Sequence, residues 1–257
     1  TRFTPIRRTV RELIMEVETG ELGLPDLQRG YVWRAAKVRD LLDSMLKGYP
    51  IGYLMIWDAA DDTEKSKTIG IDSKPFGTPK SLVIDGQQRL TSLYAVMYGK
   101  KIVDAKFNEK QIIISFNPLT RTFAVGDNAT KRGAEWIYDI SEVFRNESKS
   151  FAYISEKVQT ISDAREKTDA TLTDDEKQCI QQNIMDLLSL TGFSIPTLEI
   201  SGNSDEESVA DIFVRVNSGG EKLGEYDFIL TLISVYWPEG RQKIVDFCRS
   251  AKTPKPG

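Results

Sequence analysis

The sequence predicts an α+β fold, and three observations support this prediction. Short apolar runs typical of strands lie among longer stretches whose apolar side chains recur every three to four residues. The two kinds of segment do not alternate often enough for a doubly wound parallel sheet. Neither a GxGxxG nor a GxxxxGK[ST] pattern is present, so no Rossmann or P-loop nucleotide site is indicated. We expect a small mixed sheet, with a middle and a C-terminal part that are largely helical.

The first half of the chain predicts helices and strands separated by Gly and Pro. Thr9 and Glu12 form a capping box, which predicts a helix from Thr9 to about Val17. Apolar residues at helical spacing predict a second helix, and Gly48 ends it. The other expected elements are strands at residues 51–57 and 82–84 and a helix at residues 90–99.

The second half begins with a predicted hairpin and then becomes mostly helical. Thr173 and Glu176 form a second capping box at the start of a helix. The last predicted helix is apolar on nearly every side, which predicts that it is buried. The expected elements are hairpin strands at residues 111–116 and 121–125, a mostly helical segment at 136–190, a strand at 194–200 and helices at 204–217 and 224–236.

These patterns divide the chain into four predicted parts. They are an αβ core at residues 1–135, a helical insertion or subdomain at 136–192, a strand and helices that complete the core at 193–250, and a linker-like tail at 251–257. The chain starts without methionine and ends in a Pro- and Lys-rich tail, so we expect it to be part of a longer protein.

Composition excludes several classes of function. Hydrophobic residues make up 40% of the chain and charged residues 28%, which is typical of a globular protein. The longest nearly apolar run, residues 228–237, is about half as long as a membrane span, and no N-terminal stretch resembles a signal peptide. We therefore expect a cytoplasmic protein without membrane contact. The chain has no histidine, which excludes Ser-His-Asp hydrolysis, His-metal nuclease chemistry and imidazole base catalysis.

Charge and cysteine content narrow the expected partners. The net charge of -4 argues against a nucleic-acid footprint over the whole surface but allows a local basic cleft. Cys179 and Cys248 lie in helical patterns without the spacing of a zinc site, so we expect buried free thiols.

The first of three polar clusters is the segment Asp85-Gly86-Gln87-Gln88-Arg89, at the predicted junction of a strand and a helix. A helix N-terminus directs unpaired backbone N–H groups outward with a partial positive charge. Gly86 lets a ligand approach the backbone, and Arg89 adds a planar fork of donors for phosphate oxygens. The segment therefore predicts a phosphate site. The alternative is that Asp85 caps the helix and pairs with Arg89 at the surface.

The second cluster, residues 28–33, supplies polar and aromatic side chains just before a predicted helix. Gln28 and Arg29 lie in the preceding loop, where Arg29 could bind a phosphate. Tyr31 or Trp33 could then stack on a base or ribose. The alternative is that both rings pack in the core as staples of the next helix.

The third cluster, residues 215–220, lies where a predicted helix ends in two glycines. Arg215 and Asn217 would lie at the rim of a site, and Asn217 could coordinate Mg²⁺ or donate to a phosphate. The alternative is a helix C-cap in which Asn217 or a glycine adopts the left-handed conformation.

Four segments in this order resemble the DGQQR-motif domain family. That family includes the N-terminal part of GmrSD-type restriction enzymes and is usually grouped with ParB- and sulfiredoxin-like folds. The resemblance covers about residues 5–235, and four motifs in one order are far more specific than any one of them. The segments are LPDLQRGYVW at 24–33, GYPIG at 48–52, VIDGQQRLT at 83–91 and FVRVNSGGEKL at 213–223.

The resemblance implies a ParB/sulfiredoxin-like core that binds a nucleoside triphosphate (NTP) with Mg²⁺ and hydrolyses it. The resemblance places Asp85, Gly86, Gln87, Gln88 and Arg89 in the family's central motif and Gln28 and Arg29 in its first motif. Together with the three polar clusters, it predicts a set of catalytic residues: Asp85, Gln87, Gln88 and Arg89. The predicted nucleotide-binding residues are Gln28, Arg29, Tyr31, Gly86, Arg89, Arg215 and Asn217, and the predicted metal ligands are Asp85 and Asn217.

The resemblance further implies a regulatory role in DNA restriction and phage defence. DNA is then a partner, and a C-terminal or separate domain of HNH type cuts it; a homo-oligomer is compatible with this role. Because the chain has no histidine, we do not expect it to cleave DNA itself. Two alternatives stay open: a non-catalytic DNA-binding module whose arginines contact DNA phosphates, and a ParB-like nuclease that uses Asp85 with magnesium.

Overall fold

The computed structural model describes residues 3–24, 31, 33–58, 79–103, 109–202, 204 and 206–217, together with a few isolated positions between 229 and 247. The predicted helix at 224–236 lies almost entirely outside the described residues. No helix in the described ranges is both long and apolar enough to cross a membrane.

The first half of the described chain contains most of the strands. Its elements are β1 (Phe3–Thr9), α1 (Val10–Thr19), β2 (Leu22–Gly23), α2 (Ala35–Leu46), β3 (Leu54–Asp58), β4 (Ser81–Asp85), α3 (Gln87–Met97), β5 (Ile102–Val103), β6 (Glu109–Lys110), β7 (Ile114–Asn117) and β8 (Thr122–Val125).

The second half is mostly helical, as predicted. Its elements are α4 (Asn128–Arg132), α5 (Ser141–Arg145), a 3₁₀ turn (Glu147–Lys149), α6 (Ser150–Glu166), α7 (Asp174–Ser189), a second 3₁₀ turn (Leu190–Gly192), β9 (Ser194–Ile200) and α8 (Glu206–Asn217).

The main sheet has five strands in the order β1-β9-β3-β4-β2. β9 pairs antiparallel with β1 and parallel with β3, whereas β4 pairs antiparallel with β3 and parallel with β2. The strands β5 and β6 form one small hairpin, and β7 and β8 form another. This mixed sheet confirms the predicted α+β class.

Each face of the sheet is covered by helices. Side chains alternate along a strand, so Leu54 and Val83 belong to the core that includes α1, α2 and α3. Met55 and Ile84 point to the other face and pack in a second cluster with Phe213 of α8. The sheet therefore separates α3 from α8.

The helical middle part shares the larger of these two cores. Ile140, Ile161 and Ile184 are buried in the same cluster as Leu13 of α1 and Leu42 of α2. Consequently, the predicted insertion at 136–192 packs against the first part of the chain through a continuous apolar core.

Both predicted capping boxes are present. At α1, the Glu12 N–H donates to Thr9 Oγ1 at 3.2 Å and the Thr9 N–H donates to Glu12 Oε2 at 2.7 Å. Thr173 and Glu176 repeat the arrangement at α7 with distances of 3.2 and 2.9 Å. Because these bonds favour the ionised carboxylate, they lower the pKa of Glu12 and of Glu176.

Three details differ from the sequence expectations. β3 begins at Leu54 rather than at residue 51, because Gly52 adopts a left-handed φ of +88° that does not suit a strand. α3 begins at Gln87, three residues before the predicted start. Cys179 is a free thiol, but it is exposed on α7 instead of buried.

Candidate functional site

The junction of β4 and α3 requires glycine at position 86. Gly86 has a φ of +84°, in the left-handed region that side chains rarely adopt. A Cβ atom at this position would lie 2.4 Å from Leu54 Cδ2 and 3.3 Å from the Tyr53 carbonyl oxygen. The absence of a side chain therefore brings the start of α3 against the start of β3.

Arg89 projects from the first turn of α3 into this contact. Its Nη1 donates to the Tyr53 carbonyl oxygen at 2.8 Å. The guanidinium also lies against Gly52, where a Cβ atom would be only 2.9 Å from Nη1. Asp85 Oδ2 is 3.9 Å from Nη2, and the Arg89 side chain is only 19% exposed. We call these five residues, Gly52, Tyr53, Asp85, Gly86 and Arg89, the arginine cradle.

The arginine cradle holds a poorly solvated cation. Burial lowers the pKa of Arg89, and the negative charge of Asp85 together with the Tyr53 phenol only partly offsets this effect. Arginine stays protonated at neutral pH even so. Its short hydrogen bond goes to a neutral carbonyl group, and the distance of 3.9 Å to Asp85 is close to the longest at which two charged groups form an ion pair. An anion that reached the guanidinium would therefore gain a strong charge-assisted contact.

Backbone N–H groups add positive potential beside the guanidinium. The Leu90 N–H donates to the Gly86 carbonyl at 3.1 Å, so the N–H groups of Gln87, Gln88 and Arg89 precede the first bond within the helix. The N-cap residue is Gly86, and no side-chain hydrogen bond caps this helix start. Asp85 therefore does not cap the helix, but the pairing with Arg89 that the same alternative predicts is present, with 3.9 Å between Asp85 Oδ2 and Arg89 Nη2.

The two glutamines of the motif have structural partners. Gln87 is buried, and its Nε2 donates to the Val83 carbonyl oxygen at 2.8 Å, which fixes α3 to β4. Gln88 Oε1 accepts from the Trp33 N–H at 3.3 Å. In this arrangement Gln87 can contact a ligand through its backbone N–H, while Gln88 holds Trp33 of the second polar cluster next to α3.

Tyr31 lies in the core. It is 4% exposed, and its hydroxyl forms a 2.6 Å hydrogen bond with Ser92 Oγ of α3. This geometry favours the core alternative over stacking on a base. Trp33 is partly buried, and Lys37 Nζ lies over its ring, 4.1 Å from the centroid. Gln28 and Arg29 lie outside the described residues.

Replacing Tyr31 with leucine should separate these two roles. The change removes the ring and its buried hydrogen bond to Ser92, so the free energy of unfolding should fall by about 2–3 kcal/mol. A ring that only packs in the core contacts no ligand, so we expect the ligand affinity of the folded protein to be unchanged. Chemical denaturation and calorimetric titration of the same protein measure both quantities. A large loss of affinity without a loss of stability would contradict the core role.

The described residues of the third cluster, 215–217, lie at the end of α8, across the sheet from α3. Arg215 is exposed, and its Nε donates to Asp211 one turn earlier at 2.9 Å. Asn217 ends α8, as predicted, and its side chain is outside the described part of the structure. The structure therefore brings Tyr31 and Trp33 to the DGQQR helix, and it does not bring Arg215 there.

A magnesium ion would fit the cradle only in combination with a phosphate ligand. In the described ranges, no three His, Cys, Asp or Glu side chains are grouped as a metal site would need. Asp85 supplies one carboxylate beside the arginine. Mg²⁺ is commonly held by one or two carboxylates together with substrate phosphates and water, so this donor set suits a metal–nucleotide complex.

Gly52 and Tyr53 are parts of the site that the sequence did not indicate. Both belong to or follow the GYPIG segment, in which Gly48 ends the preceding helix. Only the strand pairing explains their position: β3 directly follows this segment and pairs antiparallel with β4, so that Met55 lies opposite Asp85. Residues just before β3 must therefore lie beside the end of β4.

Comparison with known proteins agrees with these motifs. Residues 10–234 match the family described as GmrSD restriction endonuclease, N-terminal domain. The chain is also similar to an uncharacterised protein of Methanocaldococcus jannaschii, with 25% identity over 250 residues. That alignment covers 87% of this chain and 41% of the relative, so the chain spans less than half the length of the curated relative.

Proposed function

Since the chain belongs to the family of GmrSD restriction endonuclease N-terminal domains, we propose that it binds and hydrolyses an NTP to regulate DNA restriction. The observation that carries this proposal is Arg89, a guanidinium fixed by the Tyr53 carbonyl at the N-terminus of α3. A helix N-terminus and a held arginine together form a suitable site for a phosphate chain.

Each residue of the cradle has a specific role in this proposal. Arg89 and the first backbone N–H groups of α3 bind phosphate oxygens. Asp85 holds Mg²⁺ or orients the attacking water, and bound Mg²⁺ would neutralise charge on the phosphates. Gln28 and Arg29 close the site, whereas Asn217, at the end of the helix on the other face of the sheet, has no role in it. Such a site accelerates phosphoryl transfer by positioning and charge neutralisation rather than by a covalent intermediate.

The partners of the proposed function are DNA and a nuclease domain. The match to a restriction endonuclease family supports a role in DNA restriction. The curated relative is more than twice as long as the aligned segment, which leaves room in such proteins for a further domain. We propose that a domain of HNH type cuts DNA there, and that nucleotide turnover at the cradle controls it.

A thermal-shift series with the four NTPs, each with and without magnesium, tests the proposal. A ligand that binds only the folded state stabilises it, by about 2.7 kcal/mol when the ligand concentration is a hundred times Kd. The melting temperature rises as a result. We expect at least one NTP with magnesium to raise it and to release phosphate on incubation, whereas the matching nucleoside does neither. Salt-sensitive DNA binding without any nucleotide effect would instead support the DNA-binding alternative.

A further inference from the structure

Tyr53 presents an aromatic ring at the cradle. Tyr53 is 40% exposed, whereas the next residue, Leu54, is fully buried at the start of β3. The Tyr53 backbone is fixed at the same time, since its carbonyl oxygen accepts from Arg89 Nη1 at 2.8 Å. An exposed ring is thus attached directly to the backbone that holds the phosphate-binding arginine.

We propose that Tyr53 contacts the nucleoside part of the ligand, with its ring stacked on the base, while Arg89 binds the phosphates. This inference rests on the proposed function and adds to it the residue that distinguishes a nucleotide from a simple phosphate chain. A nucleotide places its base one ribose away from the first phosphate, so a ring beside the arginine is suitably placed.

The chemistry of tyrosine suits this role. A tyrosine has few rotatable bonds, so it offers a large flat surface at little cost in conformational entropy. An aromatic ring can stack on any base, since every base has a π face.

The other aromatic residues near the cradle are less suitable. Tyr31 is buried in the core, and the ring of Trp33 is covered on one face by Lys37. Tyr49 is 58% exposed in the same loop, but Arg89 bonds to the carbonyl of Tyr53, four residues further along the chain. Tyr49 is therefore a matched control for Tyr53: both are exposed tyrosines, and only Tyr53 adjoins the arginine.

Calorimetric titration of Tyr53→Leu, Tyr53→Phe and Tyr49→Leu with each NTP and with inorganic tripolyphosphate tests the inference. Tyr53→Leu should weaken NTP binding by about fivefold or more, which corresponds to the loss of one stacked base. Its affinity for tripolyphosphate should stay within about twofold of the wild type. Tyr53→Phe keeps the stacking surface and should bind NTP almost normally, and Tyr49→Leu should bind both ligands normally.

The outcomes separate this inference from the function on which it rests. If Tyr53→Leu weakens NTP and tripolyphosphate equally, Tyr53 acts through Arg89 or through folding, and the inference is overturned. Unchanged NTP binding by folded Tyr53→Leu overturns it as well. Both outcomes leave the nucleotide function in place. If the wild-type protein binds neither NTP nor tripolyphosphate, the proposed function fails and the inference fails with it.

Discussion

Arg89→Ala should lower NTP affinity by about tenfold or more, because a charge-assisted hydrogen bond to phosphate is worth about 1.5–3 kcal/mol. The fold should tolerate this change. Arg89 extends from α3 away from its buried stripe, which includes Leu90 and Leu93. The loss of its bond to the Tyr53 carbonyl should reduce the free energy of unfolding by about 1 kcal/mol. Calorimetric titration and urea denaturation give the two values.

Two further variants make this test specific. Arg89→Lys keeps the charge but lacks the planar fork of donors, so its affinity should lie between wild type and Arg89→Ala. Arg39→Ala removes an exposed arginine of α2 that pairs with the adjacent Asp40, and it should bind NTP normally. An Arg89→Ala protein that folds and keeps full affinity would show that the arginine only stabilises the junction.

Local sequence signals predicted the starts of α1 and α7 correctly. Thr9 with Glu12 and Thr173 with Glu176 satisfy backbone groups only three residues away, so each capping box can be recognised from a tetrapeptide. α2 was equally clear, since its buried residues follow one helical face. These elements can be predicted because the contacts that form them join residues close to one another in the sequence.

Long-range pairing could not be predicted in the same way. β9 lies between β1 and β3, which precede it by about 140 to 190 positions in sequence. The apolar pattern of residues 194–200 does not indicate which strands pair with β9. The pattern did indicate a strand there, and the structure supplied its position.

The candidate site shows the same division. The DGQQR segment was identified from its own residues, because a glycine and an arginine at a strand–helix junction form a local signal. The cradle around Arg89 depends on Gly52 and Tyr53, which lie more than 30 positions away. The role of Tyr31 was open between stacking and packing, and only its burial against Ser92 favours one of them.

Gly52→Ala should reduce NTP affinity about as strongly as Arg89→Ala, by about tenfold, although it removes no ligand contact of its own. The added methyl group would lie 2.9 Å from Arg89 Nη1, so the guanidinium has to move away from the Tyr53 carbonyl. Because Nη1 is the end of a flexible side chain, it can move, and the loss of its bond to the Tyr53 carbonyl costs about 1 kcal/mol of stability. The left-handed φ of +88° adds a cost of about 1–2 kcal/mol to folding.

Gly48→Ala provides the matched control for this effect. Gly48 also has a left-handed φ, +71°, but no atom lies within 4 Å of the position a Cβ would take. Both alanine variants should therefore lose stability through backbone strain, Gly52→Ala by about 1 kcal/mol more because it also displaces Arg89 from the Tyr53 carbonyl, and only Gly52→Ala should lose affinity. The double variant Gly52→Ala/Arg89→Ala should bind NTP no more weakly than Arg89→Ala, since both changes act on one guanidinium. Additive losses of affinity would mean that Gly52 influences the ligand by a route other than Arg89.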